Sequence, residues 1–248
     1  MSRATEFSLR IYNRLADRIV PGHKHAQRSY QERLAKLVFP GCSWLDLGCG
    51  HQLLPSWLNA DERGFVQQCR RAVGIDLDFP SLRANATLRD RTMGPLEHLP
   101  FRDGTFDLVT ANMVIEHIQN PAIVLAEVKR VLRPGGRFLF HTPNRNAPAI
   151  RIASHTPDGL KKRIIWLFER RREEDVFPTH YQMNTEPDIH RMAQDSGFSV
   201  DSLEQLGSTA VTAYLGPLAV PELLFVRALQ ADRFRGLRSN ILTVLRKP

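Results

Sequence analysis

Hydrophobic positions in the first forty residues repeat at helical spacing. Residues 5–38 therefore predict helix, with a break where Pro21 is followed by Gly22. From Ser43 the pattern changes to short runs that are strongly apolar or rich in β-branched residues. Four such runs occupy residues 43–47, 71–76, 106–111 and 137–142. Because segments of helical length separate them, the pattern predicts βαβ units and a parallel sheet that is buried on both faces.

The clearest helix is expected between the third and fourth of these runs. Residues 121–132 carry valines at helical spacing, Asn120 is the expected N-cap, and the Pro134-Gly135-Gly136 segment is expected to end the helix. Later elements are expected as a helix at 188–198, a strand at 198–206, a helix at 222–238 and an alternating, edge-type strand at 240–247. The predicted fold class is α/β: a Rossmann-like, doubly wound sheet, mostly parallel, with an antiparallel C-terminal edge strand and helices on both faces.

The composition is that of a globular chain. Of 248 residues, 42% are hydrophobic and 24% are charged, which excludes a disordered chain. No apolar stretch approaches the length of a membrane span, and the first ten residues lack the apolar core of a secretory signal. The three cysteines, Cys42, Cys49 and Cys69, form no CxxC pair, so the sequence predicts no disulfide framework and a cytoplasmic, reducing location.

The net charge of +8 is unevenly distributed. Residues 1–40 and 227–248 each carry +5, which leaves −2 for the segment between them. Basic ends favour an anionic partner, which would be a lipid surface, a phosphorylated substrate or a nucleic acid. A basic surface that serves only solubility explains the same distribution.

A glycine-containing motif follows the first predicted strand. In WLDLGCGHQ (44–52), Asp46, Gly48 and Gly50 stand at alternate positions where the strand ends. Such a loop lets backbone approach a ligand closely at the carboxyl edge of a parallel sheet. The third glycine of a dinucleotide-binding GxGxxG is absent, because Leu53 takes its place. Asp76 ends the second strand, where a carboxylate can accept both hydroxyls of a ribose from any adenosine-bearing cofactor.

Three motifs together resemble a known family. DLGCG at 46–50, GID at 74–76 and the run that begins LEHLPF and ends HTPN at 96–144 are similar, in order and spacing, to class I S-adenosylmethionine (SAM)-dependent methyltransferases. The resemblance is to the type 11 small-molecule branch, which is similar to ubiquinone-biosynthesis methyltransferases. It covers residues 41–145 continuously and is weaker around 176–198.

The resemblance implies SAM as cofactor, S-adenosylhomocysteine as product, and a set of cofactor-binding residues. That set is Asp46, Gly48, Gly50, Asp76, Leu77, Leu96, Asn112 and Met113. The chain departs from the family at Pro95, where most relatives carry a carboxylate for the adenine amino group, and at Gln52, where a third glycine is common. Backbone groups at 94–96, with Met93 against the ring, are then expected to hold the adenine.

The resemblance also implies a division of the chain. Residues 1–40 are expected to form N-terminal cap helices, 41–145 the SAM-binding core, 146–187 a lid or substrate insertion, and 188–248 the helices and edge strands that complete the sheet. The substrate site is expected from the first helix, the loop after Asn144 and residues 159–185. Basic residues flank an apolar run within that segment, which indicates either a lid helix or peripheral membrane contact.

The expected reaction is transfer of a methyl group from SAM to a small-molecule or lipid-linked acceptor, at oxygen, by in-line displacement. His117, His141 and His180 are the candidate general bases, because histidine titrates near neutral pH. No metal-ligand spacing is present, so no metal is expected. Two alternatives stay open: a SAM-fold binding protein without catalysis, and an RNA methyltransferase. A nucleic acid is the less favoured partner, because TANM (110–113) stands where an NPPY or DPPY motif would be. The sequence leaves the acceptor and the oligomeric state undetermined.

Overall fold

The computed structural model describes residues 3–155, 178–207 and 219–248. The helices are α1 (Arg3–Ile19), α2 (Ala26–Leu37), α3 (Glu62–Gln68), α4 (Phe79–Ala84), α5 (Pro121–Val131), α6 (Pro148–His155), α7 (Glu186–Asp195) and α8 (Val220–Leu229). The strands are β1 (Ser43–Leu47), β2 (Arg71–Asp76), β3 (Asp90–Met93), β4 (Phe106–Asn112), β5 (Leu132–Pro143), β6 (Ser199–Leu206) and β7 (Asn240–Arg246). Three 3₁₀ turns cover Ser56–Leu58, Ile115–His117 and Asp232–Leu237.

The seven strands form one sheet in the order β3-β2-β1-β4-β5-β7-β6. The neighbours from β3 to β5 pair in parallel. β7 runs antiparallel to β5, because the Gly135 N–H donates to the Lys247 carbonyl at one end and the Asn144 N–H donates to the Ser239 carbonyl at the other. The predicted α/β class, mostly parallel with an antiparallel strand near the C-terminus, is therefore confirmed.

The strand order indicates where on the sheet a ligand would bind. From β1 the chain moves outward through β2 to β3, then returns to the other side of β1 as β4. Since parallel crossovers are right-handed, the connections on the two sides of β1 cover opposite faces of the sheet. At this switch point the loops after β1 and β4 diverge, and open α/β sheets bind ligands in the crevice between such loops.

Several predicted boundaries shift for identifiable reasons. The alternating run at 240–247 forms β7, whose first six residues are buried, and β6 is the strand at the edge. α5 ends at Val131 and β5 begins at once, so the Pro134-Gly135-Gly136 segment lies inside the strand. There it accompanies a shift of register, since Phe106 pairs with Leu132 but Leu108 pairs with Arg137.

Two further differences concern element type. The predicted helix at 222–238 is two elements: α8 ends at Leu229, and a 3₁₀ turn follows at 232–237. β3 has no counterpart among the predicted strands. It is four residues long and mostly exposed at the edge of the sheet, so it lacks the apolar run that identifies the buried strands.

The described chain divides into two compact units. The larger comprises Gln27–Pro143, Thr179–Glu204 and Ile241–Pro248. Its core is a continuous cluster of apolar side chains from the parallel strands, α5 and α7. The smaller comprises, among the described residues, 3–26, 144–155, 178, 205–207 and 219–240. In it α1 packs on α8, with a buried cluster of Tyr12, Val20, Ala219, Leu223 and Val226.

Among the described residues, none of the helices is long and apolar enough to cross a membrane. The apolar run that suggests a lid or membrane contact, at 164–168, lies outside the described residues, so that expectation stays a prediction. The fourfold division of the chain inferred from the resemblance also stays a prediction.

Candidate functional site

The loop after β1 is built on two glycines in the left-handed region. Gly48 has φ 61° and Gly50 has φ 46°, values that strain other residues. The N–H groups of Gly48 and Cys49 donate to the Ile75 carbonyl at 2.8 and 3.2 Å, which fixes the loop to β2. A Cβ at Gly48 would lie 2.5 Å from a methyl carbon of Val114, whereas a Cβ at Gly50 would meet nothing within 4 Å. The loop is therefore packed at Gly48 and open at Gly50.

Asn85, a buried residue just after α4, supports this loop. Its side-chain amide donates to the carbonyls of Cys49 and Gly50 at 3.3 and 3.1 Å. Its Oδ1 accepts the N–H groups of Thr87 and Leu88 at 3.1 and 3.0 Å. The glycine loop is thus held in shape by the protein itself. No motif or periodic pattern in the sequence includes Asn85, so the sequence alone does not predict this role.

Asp76 joins the loop to the end of β2. Its Oδ2 accepts the Gly50 N–H at 2.8 Å, and its Oδ1 accepts the Asp78 N–H at 2.9 Å. A carboxylate offers about four lone-pair sites, so about two remain for a ligand. Asp76 is half-buried, and it can therefore hold the loop and accept a pair of hydroxyl groups at the same time.

Asp46, at the end of the motif's strand, is buried with 5% of its surface exposed. Its Oδ1 accepts a hydrogen bond from the Thr110 hydroxyl, which itself accepts from the Trp44 indole at 2.7 Å. Burial raises the pKa of Asp46 to about 7, and the negative charge of Asp76 contributes to the same shift. Asp46 therefore joins β1 to β4, and its carboxyl group titrates near neutral pH.

Exposed apolar side chains stand at the carboxyl ends of three strands. Leu77 follows β2 and is 62% exposed, Met93 ends β3 at 60%, and Met113 follows β4 at 38%. Met113 has φ 59°, and its N–H donates to the His141 carbonyl at 2.8 Å. Large apolar groups left exposed at one edge of a sheet indicate a binding surface. Leu96 is half-buried near the same edge.

The Asn112 side chain contacts two other polar side chains of the protein. It exchanges two hydrogen bonds with the Gln27 amide of α2, at 2.9 and 3.1 Å. Its Oδ1 also lies 3.0 Å from His141 Nδ1. Asn112 therefore ties α2 to the ends of β4 and β5. Gln27 is a second residue of the candidate site for which the sequence gives no signal.

The three candidate histidines have different environments. His141 is 1% exposed, with its ring centroid 6.1 Å from that of Tyr30, so its side chain is buried between β5 and α2. His117 is partly exposed, and its Nε2 lies 4.0 Å from a carboxylate oxygen of Glu116. His180 is exposed, and its backbone N–H donates to the Glu116 carbonyl at 2.7 Å. The backbone at His180 thus adjoins the turn that carries His117.

A buried polar chain supports that turn. The Thr142 hydroxyl donates to Glu116 Oε2 at 2.9 Å, and the Asn184 amide donates to the Thr142 hydroxyl at 2.6 Å and to the Pro143 carbonyl at 3.0 Å. Burial raises the pKa of Glu116. These contacts join the segment before α7 to the ends of β4 and β5. The sequence indicates the Glu116-His117 pair but gives no signal for Asn184.

A cavity of about 340 Å³ lies beside the segment that follows the motif and is lined in part by Gln52, Glu62 and Thr87. Glu62 accepts the Leu54 N–H at 2.6 Å and the Thr87 hydroxyl at 2.7 Å. Gln52 and Pro95, the two departures from the family pattern, are both exposed. Within the described ranges, His, Cys, Asp and Glu side chains form no group of three that is placed to hold a metal ion.

A family described as "Methyltransferase domain" matches residues 22–203. The chain belongs to this family. The resemblance to class I SAM-dependent methyltransferases is therefore confirmed, and the matched residues 22–203 include every residue that the resemblance led us to expect in the cofactor site.

Two of the three relatives described next are named as methyltransferases. The chain is 33% identical over 223 residues to an uncharacterized 37.1 kDa protein in transposon TN4556 of Streptomyces fradiae, covering 87% of this chain and 56% of that protein. It is 35% identical over 139 residues to a "Probable S-adenosylmethionine-dependent methyltransferase" of Mycolicibacterium smegmatis, covering 52% and 51%. It is 32% identical over 117 residues to a "Ubiquinone biosynthesis O-methyltransferase" of Paraburkholderia xenovorans, covering 46% and 49%.

The chain spans about half the length of the curated relatives it matches. Among solved structures, it is similar to a SAM-dependent methyltransferase from Mesorhizobium loti, with a TM-score of 0.58 at 20% identity. The match covers 89% of this chain and 97% of that protein. Because the two sequences are 20% identical, this structural similarity supports the assignment of the fold.

Proposed function

We propose that this methyltransferase domain binds SAM at the carboxyl ends of β1, β2 and β4 and transfers its methyl group to an oxygen atom of a small-molecule acceptor. One arrangement carries the proposal. The glycine loop is open at Gly50, and the Asp76 carboxylate that holds it has acceptor sites left for a ligand.

The fit to SAM follows from the chemistry of these groups. Asp76 would accept the two ribose hydroxyls with the lone pairs that the Gly50 and Asp78 amides leave available. The methionine part would lie along Gly48–Gly50, where the absence of a Cβ at Gly50 lets a ligand approach the backbone.

The adenine ring would lie against exposed apolar side chains. Leu77 and Met93 stand at the ends of adjacent strands, where they offer contact to a flat aromatic ring. Pro95 supplies neither a carboxylate nor an N–H, so polar recognition of the ring would come from backbone groups at Gly94 and Leu96. We expect this adenine contact to be weaker than one that includes a carboxylate.

Bound SAM supplies a methyl group on a positively charged sulfur, which is already activated for displacement. The protein must hold the acceptor oxygen about 3 Å from that carbon, in line with the sulfur, and exclude water. We assign removal of the acceptor proton to His117, which is partly exposed and has the Glu116 carboxylate 4.0 Å from its Nε2. His180 is the second candidate. His141 is too deeply buried to reach an acceptor.

The choice of oxygen draws support from a relative. The protein of Paraburkholderia xenovorans is named as an O-methyltransferase, and its match to this chain covers 46% of the chain. A base at His117 is also more useful for a hydroxyl acceptor than for one that needs no proton removed.

Isothermal titration with SAM and with S-adenosylhomocysteine tests the cofactor assignment. Both should bind the wild type, and Asp76→Asn should weaken binding about tenfold to a hundredfold, because it removes hydrogen bonds to a charged group. Asp103→Asn is the matched control: Asp103 carries the same charge in an exposed ion pair with Arg130, before β4, and its removal should leave binding unchanged. Absence of binding to either compound would refute the proposal.

Transfer itself is tested by incubating the protein with radiolabelled SAM and fractionated cell lysate. The proposal expects the label in the small-molecule fraction. Label in RNA would favour the RNA methyltransferase alternative instead. Binding of SAM without label in any fraction would favour a binding protein that lacks catalysis.

A further inference from the structure

Two cysteines that are far apart in sequence are in contact in the structure. The sulfur atoms of Cys42 and Cys69 lie 3.1 Å apart, close enough for one thiol to donate a hydrogen bond to the other. Both are free thiols. The third cysteine, Cys49, is buried in the glycine loop and packs against Gly74.

The parallel pairing of β1 and β2 brings the two thiols together. Cys42 immediately precedes β1, and Cys69 comes two residues before β2. The Arg70 N–H donates to the Cys42 carbonyl at 2.9 Å, which extends the ladder beyond the strands. Neighbouring strands lie about 4.8 Å apart, which is within the range of Cα separations that a disulfide can bridge.

The surroundings of the pair favour thiol chemistry. Cys69 is half-buried and lines a cavity of about 610 Å³ together with Arg63, Arg70 and Arg71. Positive charge and partial exposure are the conditions in which cysteines react. A hydrogen bond from Cys69 lowers the pKa of Cys42 to about 7, and the same hydrogen bond, followed by burial, raises the pKa of Cys69. Burial raises the pKa of Cys49, which leaves that thiol protonated.

We propose that Cys42 and Cys69 form a reversible dithiol–disulfide site that reacts with hydroperoxides. The site lies at the amino ends of β1 and β2, at the opposite end of these strands from the glycine loop and Asp76. The proposal does not rest on the function proposed above.

The reaction has two balanced steps. The buried Cys42 thiolate takes the Cys69 proton across their 3.1 Å hydrogen bond, and the half-buried Cys69 sulfur then attacks one oxygen of hydrogen peroxide. The O–O bond breaks, and the departing hydroxide takes up from solvent the proton that Cys42 had released there and leaves as water. The Cys42 sulfur then attacks the Cys69 sulfenic acid, the S–S bond forms and the S–O bond breaks, and the Cys42 proton leaves with the hydroxyl group as a second water. Two thiols and one peroxide give one disulfide and two waters. Dithiothreitol, a dithiol reductant, reverses the change.

Thiol counting on the full chain tests the site directly. The reduced protein is treated with hydrogen peroxide, denatured in an alkylating reagent, and analysed by intact mass and peptide mapping. Untreated protein should take up three alkyl groups and oxidised protein one, on Cys49. The map should show a Cys42–Cys69 cross-link within one chain, and dithiothreitol should restore all three labels.

Single substitutions distinguish the cysteine that attacks the peroxide from the cysteine that closes the disulfide. Cys49→Ala should pass from two alkylatable thiols to none, because the pair is intact. Cys42→Ser should form no disulfide, and Cys69 should instead accumulate as a sulfenic acid that dimedone traps.

The proposal is overturned if the wild type keeps three alkylatable thiols at a peroxide concentration that oxidises a cysteine peptide completely. A cross-link to Cys49 or between chains would overturn it equally. Because mapping of the wild type needs no variant, a variant that fails to fold does not affect this decision.

Discussion

Alanine substitution at three left-handed glycines separates backbone strain from packing and from ligand contact. Gly48, Gly50 and Gly104 have φ values of 61°, 46° and 58°. A Cβ at Gly48 would press on Val114, but a Cβ at Gly50 or at Gly104 would meet nothing within 4 Å. Gly104 precedes β4, at the opposite end of the parallel strands from the glycine loop, so it is the matched control for strain alone.

The expected magnitudes follow from those contacts. A non-glycine residue in the left-handed region costs about 1–2 kcal/mol, so Gly50→Ala and Gly104→Ala should each lower the free energy of unfolding by that amount. Gly48→Ala adds a contact at 2.5 Å, and overpacking of this kind costs about 1–3 kcal/mol more. The expected total for Gly48→Ala is therefore about 2–5 kcal/mol.

The affinities of the three variants for the cofactor should follow a different order from their stabilities. The new methyl group of Gly50→Ala would project into the space assigned to the methionine part of the cofactor. We expect the affinity for S-adenosylhomocysteine to fall at least about tenfold, which corresponds to about 1.4 kcal/mol, while Gly104→Ala binds as the wild type does.

Urea unfolding gives the stabilities, and isothermal titration gives the affinities. Equal affinities of Gly50→Ala and Gly104→Ala would refute the assignment of the ligand to the open side of the loop. A Gly48→Ala variant no less stable than Gly104→Ala would refute the packing argument at Val114.

Three further predictions concern ionisable and buried polar groups. The pKa of Asp46 is about 7 in the folded protein and about 3.9 in the unfolded chain, so the folded state favours the protonated carboxyl group. The free energy of unfolding of the wild type should therefore fall between about pH 4 and pH 7, relative to that of Asp46→Asn, and then level off. Urea unfolding measures this difference, and a difference that stays constant across that pH range would contradict the reasoning. His117→Gln should slow methyl transfer into the labelled acceptor fraction about 10²–10⁴-fold without changing the affinity for SAM. The control His190→Gln, at an exposed residue of α7, should change neither the rate nor the affinity. An unchanged rate in His117→Gln would exclude His117 as the general base. Thr142→Val keeps the shape but removes the hydroxyl that donates to Glu116, and it should lower the free energy of unfolding by about 1–3 kcal/mol in urea; unchanged stability would contradict the role of this buried chain.

The sequence predicts the elements that carry strong local patterns. The strands β1, β2 and β4 are apolar runs, and their positions were predicted to within one residue. β3 was missed because an exposed edge strand of four residues needs no apolar run. The end of α8 was missed because apolar residues continue at helical spacing through the 3₁₀ turn that follows at 232–237.

The residues of the candidate site likewise fall into those that the sequence predicts and those that it does not. Gly48, Gly50 and Asp76 belong to local motifs, and the structure brings them into one hydrogen-bonded group. Asn85 and Asn184 reach the site from 35 and 42 residues away, through contacts that exist only after the strands have paired. A residue whose partners are distant in sequence leaves no spacing pattern, so one sequence alone does not reveal its role.

The cysteines illustrate the same limit. Cys42 and Cys69 are 27 residues apart and show none of the short spacings that indicate a redox pair. Their contact follows from the register of β1 on β2, which pairs Ser43 with Arg71. A net charge summed over a long segment also hides local clusters. The segment between the basic ends carries −2 in total, yet Arg63, Arg70 and Arg71 of that segment line a single cavity.

A crystal structure of the protein with S-adenosylhomocysteine tests the central claim most directly. The account predicts both ribose hydroxyls within hydrogen-bonding distance of the Asp76 carboxylate and the amino-acid part beside Gly50. The claim is contradicted if the compound lies elsewhere, or if Asp76 contacts only the amides of Gly50 and Asp78 while the ligand is bound.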